Sequence, residues 1–530
     1  MSTFIEQPQS FETATTDRSA SGPSMMRSIF SNYAGMIVGT AVSFLMTPIL
    51  IHGLGDFHYG MWVLVATMVD YYGLLDLGVR FTLQRYVARS KGAGEREALN
   101  STSVSALMIA LCMTAIIIPS IVILARYLPG VFQVAGSERA LFSRVLILLG
   151  VGLAVSLPAK VLGAYLCGLQ RFDLYNLAGA ANMVTQAVLL VIVLRRGYGI
   201  EGCAAVSLAT AVLSLAVHGW LVRRADPEVS FDLRRVRWRE VCDLLNFGFY
   251  IFLNQVGDVL RFRLDSLVIA RWLTIALVTP FNVAARLIEY FRYIIAAITG
   301  PLITEMSSLH GKAQDEKLRQ LFLRSTRLTA LVCSPVGILL CVDGKALMRL
   351  WVGQALASSS FVVLLTLAIG RTASAIQTPS MSFLLARGRK KALGWWSLGE
   401  GLANLALSIY WAPKYGILGV ALGTMVPMLI VKALLQPWYT LWLGKISIRE
   451  YIVESMARPL WVSAIFVVAA KELLAVFPHA GIIPFLSAFL LQIVAYATLV
   501  YLIGLTSGER GEMKARALKL ACATGLADPA

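Results

Sequence analysis

An all-α, polytopic membrane fold of about fourteen transmembrane helices is what this 530-residue sequence predicts, from composition, run length and charge placement. Hydrophobic residues make up 57 % of the chain and charged residues only 15 %, with a mean hydropathy of +0.71. A water-soluble domain carries roughly 45–50 % apolar and about 25 % charged residues. The apolar residues gather in runs near the ~20 residues that a helix needs to cross ~30 Å of hydrocarbon. Helices are the default because open sheet edges cannot face lipid. A soluble enzyme, a disulfide-built secreted domain and a disordered chain are excluded.

The spans follow in order. Residues 1–27 are polar, aperiodic and rich in Ser and Thr, and read as a disordered cytoplasmic tail. Six apolar runs at 28–51, 59–79, 103–125, 141–166, 173–194 and 202–222 form an N-terminal lobe over 28–222. A basic linker covers 223–244. Six more runs at 245–270, 277–302, 325–343, 360–385, 393–412 and 416–441 form a C-terminal lobe over 245–441. Two further runs, 457–476 and 482–505, fall in the segment 442–505, and a basic cytoplasmic tail closes the chain at 506–530. The seventh and eighth runs are the least apolar.

The halves repeat. Tyr198-Gly199-Ile200-Glu201-Gly202-Cys203-Ala204 matches Tyr415-Gly416-Ile417-Leu418-Gly419-Val420-Ala421, each between the fifth and sixth run of its half. Six spans is an even number, so the copies are expected as parallel repeats about an axis along the membrane normal, with a cavity between the two bundles.

Charge sets the orientation. The net charge is +17. With the N-terminus inside, thirty Lys and Arg lie in cytoplasmic segments and nine in outside segments. This bias predicts cytoplasmic N- and C-termini and accounts for most of the charge without nucleic acid. The outside loops are short, which leaves no room for a large external catalytic domain. There is no phosphate-binding glycine loop, no metal-binding His/Glu helix and no serine elbow. The expected chain is not an enzyme and holds no cofactor.

Besides Arg327, Arg458 and Lys471, which lie toward span ends and are counted with the loops, eight basic residues fall inside the spans. Arg144 lies near a helix end. Lys160 and Lys432 lie in inner halves, where their stems can snorkel to the headgroups. Five others are Arg261, Arg263, Arg286, Arg292 and Arg371. Asp258, Arg261 and Asp265 share a helical face, and Arg286, Glu289 and Arg292 form a stripe three residues apart. An ionised group at the bilayer centre costs roughly 2.5–3.5 kcal/mol, so these groups must face a bundle interior or a wet cavity. One reading is an internal salt-bridge network. The other is a cationic cavity for an anionic substrate with a lipid-loving end, because Arg grips phosphate through a fork of donors. Asp76 either lines the same cavity or caps the turn at Gly78. Glu400 is expected at the inner interface.

Gly53-Leu54-Gly55-Asp56, Tyr59-Gly60-Met61-Trp62, Leu74-Leu75-Asp76-Leu77-Gly78 and Arg85-Tyr86-Val87-Ala88 carry a resemblance. Over about 28–505 the chain resembles the polysaccharide (O-antigen-type, Wzx-like) flippases of the multidrug/oligosaccharidyl-lipid/polysaccharide exporter superfamily. The Asp265 segment, the Tyr-Gly-Ile-x-Gly loops and the span count fit the same family. The sequence departs from the common pattern at Arg271-Trp272-Leu273 and Thr279-Pro280-Phe281. The resemblance implies two six-helix lobes, a central cavity and lipid-linked oligosaccharides carried to the outer leaflet.

The expected function is thus transport of a polyprenyl-pyrophosphate-linked oligosaccharide across the bacterial inner membrane by alternating access, for surface polysaccharide synthesis. Arg261, Arg263, Arg286, Arg292 and Arg371 are the expected substrate-binding residues. Asp76, Asp258, Asp265 and Glu289 are the expected cavity acids, with H+ or Na+ as the coupling ion. Membrane lipids and other polysaccharide-assembly proteins are the expected partners. A multidrug antiporter of the same superfamily and a membrane-embedded polymerase are the alternatives.

Overall fold

The computed structural model describes residues 23–246, 264–300, 302–476 and 481–511. Within them the chain is helical, with no strand. The expected residues Asp258, Arg261 and Arg263 lie outside the described residues.

Helix α1 (Pro23–Tyr72) is continuous in hydrogen bonding but not in direction. At Gly55 the backbone takes φ 77° and ψ 166°, which a side chain would forbid. The first two expected spans are therefore the two legs of α1, joined at the Gly53–Asp56 turn. A tight turn over Gly73–Asp76, with Leu77 and Gly78 at positive φ, leads into α2 (Val79–Ala93). This helix is too polar to cross a membrane, and it buries one face through Val79, Leu83 and Val87. Then come α3 (Arg96–Val131), α4 (Gly136–Gly168), α5 (Phe172–Arg195) and α6 (Gly199–Ala225).

The second half holds α7 (Asp265–Trp272), α8 (Val278–Thr299), α9 (Leu302–Gly311), α10 (Asp315–Val342), α11 (Gly344–Val352), α12 (Gln354–Ile376), α13 (Thr378–Ala386), α14 (Lys390–Tyr415) and α15 (Ile417–Met428). A π-helical turn, Leu429–Leu435, joins α15 to α16 (Gln436–Gly444). The chain ends in α17 (Ala457–Val476) and α18 (Ile482–Leu499).

Ten helical stretches among the described residues are long and apolar enough to cross a membrane. They make the chain a multi-pass helical membrane protein. The sequence predicts more spans, and the differences have causes. The two legs of α1 form one stretch, and the seventh expected span lies mostly outside the described residues. α8 and α14 are long enough at 22 and 26 residues, but Arg286, Glu289 and Arg292 on one and Glu400 and Asn404 on the other break their apolar runs.

Packing follows chain order within each half. α4 packs on α2, α3 and α6, and α5 on α1 and α6. α12 packs on α8, α10, α11 and α15, and α14 on α15 and α7. α17 lies on α10, with α18 on α17. α1 bridges the halves, touching α4 and α5 on one side and α7, α8 and α11 on the other. Trp351 on α11 stacks on Phe44 of α1 with ring centroids 4.8 Å apart, and its Nε1 donates to the Phe44 carbonyl at 2.9 Å. One apolar core runs from Met46 to Ala421 through both halves.

The two repeat segments share a backbone solution. Gly199 and Gly416 both take positive φ, 58° and 61°, before their helices. Gly202 and Gly419 sit so close to the preceding helix that a Cβ would stand 2.5 Å from Val193 Cγ1 and 2.3 Å from the Trp411 carbonyl oxygen.

The segment after α6 is tied to α3. Arg96 donates to both oxygens of Asp226 at 2.7 and 2.5 Å, and the Tyr165 hydroxyl donates to the same carboxylate at 2.5 Å. Ser101 donates to Glu240 at 2.7 Å, Ser230 N–H to Asn100 Oδ1 at 3.3 Å, and Arg237 pairs with Glu97. Burial alone pushes the Asp226 carboxyl up. The Arg96 hydrogen bonds and charge, with the Tyr165 hydrogen bond, outweigh it and hold it below the usual carboxylate range. The attachment is therefore complete above about pH 4 and weakens as pH falls below that value. Asp226→Ala is expected to make the 226–246 segment sensitive to trypsin at neutral pH while wild-type protein resists. Equal cleavage of both proteins counts against the strap.

Candidate functional site: a cationic cavity between the halves

A cavity of about 1050 Å³ lies where α1 faces α4, α8 and α12. Its wall runs from Leu50 and Tyr59, beside the Gly55 turn, to Gly73, Thr299, Gln377 and Gln436 at the other ends of the same helices and their continuations. Among the described residues five cations line it, Lys160, Arg286, Arg292, Arg371 and Lys432, against two carboxylates, Asp70 and Glu289.

Helical rise sets their depth. At ~1.5 Å per residue, Arg286 and Arg292 lie about 12 and 21 Å along α8, Arg371 about 26 Å along α12, and Lys432 about 22 Å from Ile417. Arg286 thus lies near mid-depth of a ~30 Å hydrocarbon layer, with Arg292, Lys432 and Arg371 progressively further along their helices. Arg292 donates to Glu289 at 2.5 and 3.0 Å, an i, i+3 pair on one helix. Arg371 lies within electrostatic reach of the same Glu289. Arg286 reaches the buried Tyr59 hydroxyl, and its side chain stands exposed to the cavity. The wall therefore holds more positive charge than its own carboxylates neutralise. In a hollow shielded from bulk water such a surplus attracts anions strongly.

The structure sorts the expected residues. It brings Arg286, Arg292, Arg371 and Glu289 into one wall. Asp265 is not part of that wall. It opens α7 facing α14 and α15, where Thr424 Oγ1 donates to its Oδ2 at 3.1 Å. Asn404 Oδ1 stands 3.4 Å from Thr424 Oγ1, which also bonds the Val420 carbonyl at 3.2 Å. Ser408 Oγ donates to Asn404 Oδ1 at 2.9 Å. Asp76 also leaves the central cavity, because the chain reverses at Leu77 and Gly78. It sits within electrostatic reach of Arg80 and Lys160 and lines a small neighbouring void with Val79 and Ile109.

Three sequence expectations need correction. Lys160 and Lys432 do not snorkel away but line the cavity. The π-helical turn after Pro427 rotates Lys432 relative to a regular helix, which an apolar run cannot reveal. Glu400 is 3 % exposed, one helical turn from Asn404 on α14, and is buried rather than interfacial.

Beside the Gly55 turn the two halves meet by backbone contact. A Cβ on Gly60 would stand 2.3 Å from the Ile275 carbonyl oxygen. Thr279 Oγ1 donates to the Asp56 carbonyl at 2.5 Å. Thr279 belongs to the stretch where the sequence departs from the common family pattern, so the departure supplies a bond in this contact.

A family model described as "Polysaccharide biosynthesis protein" matches residues 54–360, more than half of the chain. The chain belongs to this family. It is 22 % identical over 418 residues to a Shigella flexneri protein named "Putative O-antigen transporter", covering 79 % of this chain and 98 % of that one. It is 21 % identical over 411 residues to the "Probable low-salt glycan biosynthesis flippase Agl15" of Haloferax volcanii, covering 76 % and 80 %. Both relatives carry names of transporters, not of enzymes.

Among solved structures, an inward-facing MATE-family multidrug transporter superposes with TM-score 0.66 at 19 % identity, over 79 % of this chain and 99 % of that one. The lipid II flippase MurJ, in an inward closed conformation, gives TM-score 0.64 at 14 % identity over 89 % and 98 %. These likenesses show that this member of the polysaccharide biosynthesis family shares its fold with both transporters.

Proposed function

We propose that this chain is a flippase moving a polyprenyl-pyrophosphate-linked oligosaccharide from the inner to the outer leaflet of the bacterial inner membrane. The observation that carries this reading is the surplus of cations in one large cavity. A pyrophosphate brings negative charge and forked acceptors that suit guanidinium groups. At about 1050 Å³ the cavity lies at the upper end of the range for small-molecule pockets, which suits several sugars. The names of the relatives support the same cargo class.

In this reading the two six-helix lobes rock about the cavity, and the Gly60–Ile275 contact closes its outer end. Both termini face the cytoplasm, and α17 and α18 are an appendix to the second lobe. The polyprenyl tail stays in lipid. The likeness to a multidrug transporter favours a second reading, export of organic cations. The charge of the wall repels that cargo.

The coupling ion is H+ or Na+. Asp265 is its proposed ligand, because the oxygens of Thr424, Asn404, Ser408 and Val420 converge near it, the donor set that hard cations prefer. Asp265→Asn is expected to abolish the response of transport to an ion gradient while leaving passive exchange. Gradient-driven transport at the wild-type rate in this variant overturns the assignment.

The test of the function itself is reconstitution into sealed vesicles with a labelled lipid-linked oligosaccharide and outside-only detection of the sugar. Appearance of the label outside only when the protein is present supports the proposal. Equal appearance in protein-free vesicles refutes it.

A further inference from the structure

Away from the cavity, the helix ends that carry the basic loops of the second half build a second charged feature. Arg387 Nη1 donates to the Leu443 carbonyl at 3.4 Å, so the 387–391 turn lies beside the end of α16. Trp396 on α14 meets Tyr439 on α16 edge-on at 5.4 Å, and Tyr439 stacks on Trp442 at 5.7 Å. Trp395, Trp438 and Trp442 are exposed beside this ladder. Around it stand the exposed cations Arg389, Lys390, Lys391, Lys445 and Arg449.

Two of the acids nearby are already engaged. Asp315 takes Arg387 at 2.8 Å, and Glu450 takes Arg319. Among the described residues none of the five exposed cations enters an ion pair. The first turn of α14 also holds no acid. The result is a cluster of uncompensated positive charge beside indole rings that prefer the boundary between hydrocarbon and water.

We propose that this face binds the headgroup of an anionic phospholipid. The indoles and Tyr439 hold the glycerol and upper acyl region, and the basic ring holds the phosphate. The charge complementarity and the aromatic wall argue for a lipid, since a free phosphate has no use for exposed tryptophans.

The experiment is native mass spectrometry of the full-length protein, released from detergent with phosphatidylglycerol or phosphatidylcholine added. The expected result is preferential retention of phosphatidylglycerol. The triple variant K390Q/K391Q/K445Q is expected to lose it by about 100-fold, at about fivefold per charge near an anionic surface. W442A is expected to weaken both lipids. The matched control R223Q/R224Q, on basic residues beside exposed Trp220 at the end of α6, is expected to retain phosphatidylglycerol as wild type does. Equal retention of the two lipids overturns the proposal. So does an equal loss in the control, or capture of a lipid-linked oligosaccharide with no capture of phosphatidylglycerol.

Discussion

Arg286→Ala is expected to lower translocation of the lipid-linked oligosaccharide by about 10- to 100-fold, with normal insertion and abundance. The magnitude follows from losing one charge-assisted hydrogen bond to the cargo, worth roughly 1.5–3 kcal/mol. Arg286 is the informative position because no carboxylate among the described residues is paired with it. Its described partner is the Tyr59 hydroxyl, and its side chain stands open to the cavity. Arg292 is different: Glu289 already takes two of its donors. Arg292→Ala therefore has the smaller expected effect on the cargo, since it removes a group that also loses a carboxylate partner. Arg286→Lys should recover only part of the rate, because an ammonium cannot present the planar fork. Vesicle assays on all three variants separate charge from geometry. Wild-type rates in both Arg286 variants would remove the cavity cations from the account of binding.

Gly60→Val is expected to hold the two halves apart at the Gly55 end of the cavity, the end proposed to face outward. The Ile275 carbonyl occupies the place a Cβ needs, 2.3 Å away, and backbone cannot step aside as a flexible side chain can. Overpacking of this kind costs about 1–3 kcal/mol, enough to shift a two-state equilibrium by roughly 5- to 150-fold. The Thr279–Asp56 hydrogen bond breaks with the same displacement. The measurement is labelling of a cysteine placed at Ser374, on the cavity wall, with native cysteines replaced and an impermeant reagent outside. Faster labelling in Gly60→Val than in the parent supports the closure, and transport falls because the cycle stalls. Unchanged labelling, with the protein folded, means the contact is not a gate. Thr279→Val is the milder companion, since it removes one hydrogen bond and no space.

Much of the helical shell could be read in single segments, and the reason is the solvent. A bilayer demands a length and an apolarity from each helix separately, so each span advertises itself. The Gly55 break, the repeated Tyr-Gly-Ile-x-Gly turns and the polar α2 each follow from local chemistry. The stripe of Arg286, Glu289 and Arg292 was legible for the same reason, because charge inside an apolar run is costly and needs a polar setting. Lys160 and Lys432 were not, since a lysine in an inner half has two outcomes, and only the neighbouring helices choose between them. Asp265 shows the converse. Its position in a span marks it as polar machinery, yet the direction of α7 turns it toward Thr424 and Asn404 and away from the cations.

By itself the sequence determined that this chain is a helical membrane protein, with interior cations and a doubled pattern. Those properties are summed from residues one at a time or from short spacings. Only the tertiary structure decided which charges share a chamber, which acid stands apart and where the two halves touch. Such facts depend on distances between helices far apart in the chain, and those distances are set by how side chains such as Trp351 on Phe44 and Gly60 on Ile275 fit together.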